Sequence, residues 1–97
     1  MTTITKREWI DNIGLYEFDK GYQGVISVVA EEHNILSPER VSVKLIIPLH
    51  LLKTKYSTNC YNVTDTNPVK TQEEGKERGE KRLLRLIYEF EAEQLEI

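Results

Sequence analysis

The side chains best suited to chemistry in this 97-residue chain are one thiol, Cys60, and two imidazoles, His33 and His50. Neither histidine sits beside Cys60 in sequence, so nothing local would draw its thiol towards the reactive thiolate. A zinc site needs several thiolates or imidazoles at close spacing, and one cysteine cannot supply them. His33 with Glu31 and Glu32 would need further ligands that no motif points to. The chain has no glycine-rich phosphate loop, no nucleophile elbow and no paired histidines of the helical zinc type. Its 16 carboxylates are plentiful, but abundance neither places two of them around a substrate nor shifts a pKa. The expectation is a protein with no catalytic, cofactor or metal residues, and not an enzyme.

Binding chemistry is better represented, through the distribution of charge. Lys70, Lys76, Arg78, Lys81, Arg82 and Arg85 cluster in one stretch, and Glu89, Glu91, Glu93 and Glu96 follow with no basic residue among them. Glu89, Glu91 and Glu93, with Ile87 between the charges, would offer a basic protein partner a ladder of carboxylates around an apolar contact. The alternative is phosphate binding by Lys76, Arg78, Lys81 and Arg82, as flexible basic segments do on nucleic acid. Glu73, Glu74, Glu77 and Glu80 dilute that basic run and weaken this alternative.

The acidic ladder requires residues 82–93 to be a strand. Leu84, Leu86, Tyr88, Phe90 and Ala92 alternate with Arg85, Ile87, Glu89, Glu91 and Glu93. A strand turns these into one buried row and one mostly charged row. A helix is the rival: Thr71 and Glu74 have capping-box spacing, and Leu, Glu, Arg and Lys are good helix formers. Against it, Gly75 and Gly79 would each cost about 1 kcal/mol inside a helix. The period of two accounts for more residues, so the reading is a last strand at about 82–93.

The remaining elements follow from local signals. Thr5 and Glu8 have capping-box spacing, Ile4 and Trp9 the spacing of a hydrophobic staple, and Gly14 a closing position, which predicts a helix over 4–14. Strands are expected over 15–18, 24–30, 40–47 and 59–64, with Pro48 ending the third of them. Residues 31–39 read as a connection, and 49–56 as either a helical turn or a continuing edge. Residues 65–81 hold Pro68, two glycines and only Val69 as a clear apolar anchor, so they read as a mobile polar arm or loop.

The length bounds the chain to one small domain, 1–97. With 39% hydrophobic and 30% charged residues, its composition is that of an ordinary soluble fold. The net charge of −3 identifies no partner by itself. No leader-like segment or membrane span is expected, and a single cysteine suits a reducing cytoplasm. The predicted fold is α+β, a capped N-terminal helix on a mainly antiparallel sheet of about five strands. A small five-stranded barrel or a C-terminal helix are the alternatives. The predicted function is a small acidic, non-catalytic module that binds another protein, with nucleic acid as the alternative ligand. Ile87 on an edge strand would also be compatible with a homodimer.

Overall fold

The structure, a computed structural model, describes residues 2–29, 40–52 and 59–95. It is an α+β domain in which a five-strand antiparallel sheet packs against a single α-helix. The strands are β1 (Ile4–Ile10), β2 (Ile13–Phe18), β3 (Gln23–Val28), β4 (Val41–Ile46) and β5 (Cys60–Asp65), and the helix is α1 (Gln72–Leu95). The strands lie side by side in chain order, each antiparallel to the next. Four strands are where the local signals placed them, to within about two residues at each end, the scatter normal for element ends. Pairing stops at Ile46, before Pro48, and one 3-10 turn follows at Leu49–Leu51. The connection expected at 31–39 and the end of 49–56 lie outside the described residues.

Two elements differ from expectation, and they exchange places. Residues 4–10 form an edge strand, not a helix. Asp11 adopts φ +53° in the two-residue link between Ile10 and Ile13, a backbone region that Asp tolerates better than most residues. That turn folds β1 back onto β2, with Trp9 paired to Gly14. A Cβ on Gly14 would lie 2.6 Å from the Trp9 ring, so the glycine expected to close a helix instead makes room for an indole. Thr5 and Glu8 have capping spacing and no helix to cap.

Residues 72–95 form one helix, so the strand predicted at 82–93 is its second half and the arm predicted at 65–81 holds its first. The capping signal at Thr71 is genuine: Glu74 N donates to Thr71 Oγ1 at 3.2 Å, and Lys70 N donates to Glu74 Oε2 at 3.2 Å. The buried stripe is Gly75, Gly79, Leu83, Ile87 and Phe90, at helical spacing. It lies across β3 and β4. From the sheet it meets Tyr16, Phe18, Ile26, Val28, Val41, Val43 and Leu45, all nearly solvent-free. Gly24 completes the fit, since a Cβ there would lie 2.5 Å from Leu83 Cδ2.

Candidate functional site

The sheet has two faces, and among the described residues the helix covers only one. Because strand side chains alternate, the register fixes what the other face carries. Its central row runs Glu8, Leu15, Val25, Lys44 and Asn62 across the five strands. One flanking row begins Lys6, Glu17 and continues through Gln23 to Ile46; the other begins Ile10, Ile13 and continues through Ser27 and Ser42. Ile10, Ile13 and Leu15 are 55%, 43% and 39% exposed, while Val25 and Ile46 are half-buried. A shallow depression of about 200 Å³ sits over Leu15, Val25 and Ile46, with Lys6 and Glu17 at its rim. An apolar centre is thus bordered by charges of both signs.

The opposite face is tied to the helix by polar contacts at its β1–β2 side. Arg7 Nε donates to Glu80 Oε1 at 2.6 Å, and the Tyr16 hydroxyl donates to the same oxygen at 2.9 Å. Trp9 Nε1 donates to the Tyr16 hydroxyl at 3.3 Å. Burial, and then the bond to Glu80, push the Tyr16 phenol above its ordinary pKa. Further along, Lys20 Nζ donates to Glu91 Oε2 at 2.8 Å, and the Thr2 hydroxyl donates to Glu91 Oε1. These contacts hold α1 against the first hairpin.

The predicted acidic ladder does not exist as a face. Successive helical residues turn by about 100°, so Glu91 points to the opposite side of α1 from Glu89 and Glu93. Glu89 pairs with Arg85 at 3.2 Å, and Glu91 with Lys20. Glu93 lies towards Tyr61, whose phenol is raised first by burial and then by that charge. Ile87, expected as an exposed contact and a dimer edge, is 2% exposed in the core. The helical period moves it inward, and moves Tyr88, expected on the buried row, out to 74% exposure.

The predicted phosphate-binding set is divided. Lys76 turns to the β1 side, with its ammonium 5.0 Å from the centre of the Trp9 ring and 3.7 Å from Glu73. Arg78, Lys81 and Arg82 come together with Arg85 around a depression of about 270 Å³ beside the end of β5, with Asp65 at its edge. Arg78 is held there by donating to Asn67 O at 3.0 Å and Pro68 O at 3.2 Å, and by ion pairs with Asp65 and Glu74. Lys81 and Arg82 have no ion-pair partner among the described residues. Residues 78, 82 and 85 share a helical face, a spacing visible in sequence once the segment is known to be helical.

No cluster of three or more His, Cys, Asp or Glu side chains able to hold a metal occurs among the described residues. His50 is exposed within the 3-10 turn, and Cys60 is half-buried on β5; His33, Glu31 and Glu32 lie outside the described residues. No described helix is long and apolar enough to cross a membrane. The open-face residues Ile10, Ile13, Leu15, Val25 and Ile46 were not separable from core residues in the sequence. Compared with family models, with curated proteins and with solved structures, the chain matches none of them.

Proposed function

We propose that this protein is a non-catalytic interaction module that binds another protein through the open face of its sheet. The observation that carries the reading is the run of exposed Ile10, Ile13 and Leu15 on the face away from the helix. Burying such side chains against a partner gains roughly 25 cal/mol per Å² of apolar surface, before the costs of association are subtracted. Lys6, Glu8, Glu17 and Lys44 alternate in sign around these residues, which fixes register and disfavours wrong partners more than it adds affinity. A reducing, cytoplasmic setting belongs to the same proposal and rests on the single cysteine.

A second reading has one specific observation behind it, the gathering of Arg78, Lys81, Arg82 and Arg85 around one depression. There the ligand would be a nucleic-acid backbone, and affinity would fall steeply with salt as counterions are released. Asp65 and Glu74 pair with Arg78 and Glu89 pairs with Arg85, so two of the four cations are already engaged and this reading ranks second.

One experiment separates the two. Leu15 or Lys81 is replaced by a photocrosslinking amino acid, and cell extract containing the variant is irradiated. A discrete, nuclease-resistant protein adduct from position 15 supports the open face. Adducts from position 81 alone, lost on nuclease digestion, would transfer the function to the basic depression.

A further inference from the structure

Resting on the open-face reading, we infer that the partner which fits this face is a second copy of the same chain, related by a two-fold axis along the strands between β2 and β3. The central row, Glu8–Leu15–Val25–Lys44, carries opposite charges at its two ends and apolar side chains between them. Two copies packed face to face about that axis place β1 of one over β4 of the other, and β2 over β3. Each residue then faces its mirror position in the same row. Glu8 meets Lys44 twice, and Leu15 meets Val25 twice, around the axis. In the adjoining row Glu17 meets Gln23, an acceptor against a donor, and the alkyl stem of Lys6 lies on Ile46. A two-fold interface must be self-complementary in this way.

Three other axes on the same face match charge less well. An axis across the strands, through the central row, sets Glu8 on Glu8 and Lys44 on Lys44. An axis along β2 sets Glu17 on Glu17. An axis along β3 puts Glu8 on Asn62 and Lys44 on Leu15, which leaves both charges without a counter-ion across the interface. Within one chain Glu8 has only a loose pair with Lys6, at 3.9 Å. Lys44 is exposed and has no ion pair among the described residues. Both are therefore available to a partner.

The size of the face sets the strength. The four strands that overlap, about 4.8 Å apart and about 20 Å long, offer roughly 400 Å² in projection from each copy. Two such faces come to roughly 800 Å², under the roughly 1,000 Å² of a stable specific interface, so the dimer is weak and concentration-dependent. The roughly 30° offset usual between stacked sheets leaves Leu15 and Val25 matched at the axis, and the long side chains of Glu8 and Lys44 span the shift at the ends of the row. Most of the specificity therefore falls on Glu8, Leu15, Val25 and Lys44.

The test is sedimentation equilibrium of the purified full chain over a micromolar concentration series, for wild type, Glu8→Lys, Lys44→Glu and the double variant. Circular dichroism checks that each is folded. Each single reversal turns two attractive pairs into two repulsive ones and should weaken dimerisation at least about tenfold. The double variant restores both pairs with their signs exchanged and should return to within about threefold of wild type, while added salt weakens wild type and double variant alike. A chain that stays monomeric throughout overturns the inference, and so does a dimer that ignores both reversals. A photocrosslinker replacing Leu15, irradiated in purified protein and in extract, distinguishes the failures. A self-adduct in purified protein supports the dimer. An adduct of foreign mass in extract alone overturns self-association and leaves the open-face reading standing, and no adduct in either overturns both.

Discussion

Replacing Gly75 or Gly79 by alanine should destabilise this protein, although alanine is the best helix former and glycine costs about 1 kcal/mol in a helix interior. The reason is how close α1 comes to the sheet. A Cβ on Gly75 would lie 2.1 Å from Val28 Cγ1 and 3.0 Å from Val69 Cγ1. On Gly79 it would lie 2.4 Å from Ile26 Cγ2 and 3.3 Å from Val41 Cγ1. Ordinary carbon contacts begin at about 3.5 Å, so the new methyl must be accommodated by a separation of more than about 1 Å. Val28, Ile26 and Val41 are essentially solvent-free. They are also β-branched, with little freedom to turn aside. The helix itself must lift, which loosens Leu83 and Ile87 as well. Overpacking of this kind costs about 1–3 kcal/mol, and subtracting the propensity gain of about 1 leaves a loss of up to about 2 kcal/mol per site. Urea or thermal unfolding reads this directly, with a fall of about 4–8 °C in Tm for each kcal/mol in a domain of this size. Because one displacement relieves both clashes, the double variant should lose less than the sum of the singles. Glu77→Ala, on the exposed side of the same helix, should stay within about 0.5 kcal/mol of wild type. A stabilisation of about 1 kcal/mol in Gly75→Ala or Gly79→Ala would refute the close-packing account.

Phe90→Ala should cost about 3–5 kcal/mol, since the ring is buried against Tyr22 and Tyr61. Tyr88→Ala should stay within about 0.5 kcal/mol, and chemical denaturation of the pair checks the helical phase of the segment. Thr71→Ala removes the hydroxyl that accepts from Glu74 N and should cost about 1 kcal/mol, read in the same assay. For Glu91, burial raises the carboxyl pKa, but hydrogen bonds from Lys20 and Thr2 outweigh it, and the carboxyl is held below its ordinary value. Its contribution is therefore complete above the unfolded-state pKa and is lost as pH falls through the folded one; Glu91→Gln should flatten that acid limb of Tm against pH.

Four strands were legible because their β-branched, alternating pattern is local and their neighbours in sequence are their neighbours in space. The two misread elements failed for one shared reason. A capping box is a four-residue pattern, and this chain contains it twice, at Thr5 with Glu8 and at Thr71 with Glu74. Only the second is followed by a stripe that a helix can bury. The first lies one turn before Asp11-Asn12, and pairing with β2 overrides it. At the other end the alternation of Leu84, Leu86, Tyr88 and Phe90 imitates a strand. The glycines that seemed to forbid a helix are the positions where that helix touches Val28 and Ile26. Glycine's cost in a helix is the backbone entropy it loses on folding, and here it is offset by a close approach to the sheet that a Cβ would block.

Of the candidate surfaces, the basic depression was partly legible and the open face was not, and the difference is physical. Arg78, Lys81, Arg82 and Arg85 are close in sequence, so any compact local structure would keep most of them together. Leu15, Val25 and Ile46 come from three strands, and in sequence each has the same character as its buried neighbour Tyr16, Ile26 or Leu45. What distinguishes the two sets is which face the helix takes. A helix about 10–12 Å across cannot cover more than one face of a sheet five strands wide. β2, β3 and β4 nevertheless carry apolar side chains on both faces. The chain thus holds more apolar surface than its single described helix can shield. The glycines lock that helix to the side bearing Tyr16, Ile26 and Val43, so the excess is left on the other side in a fixed register. A patch left bare by this geometry keeps its pattern whether or not a partner is bound. That pre-organisation lowers the cost of association, and it makes the spacing of Glu8, Leu15, Val25 and Lys44, rather than total charge, the property a partner would recognise.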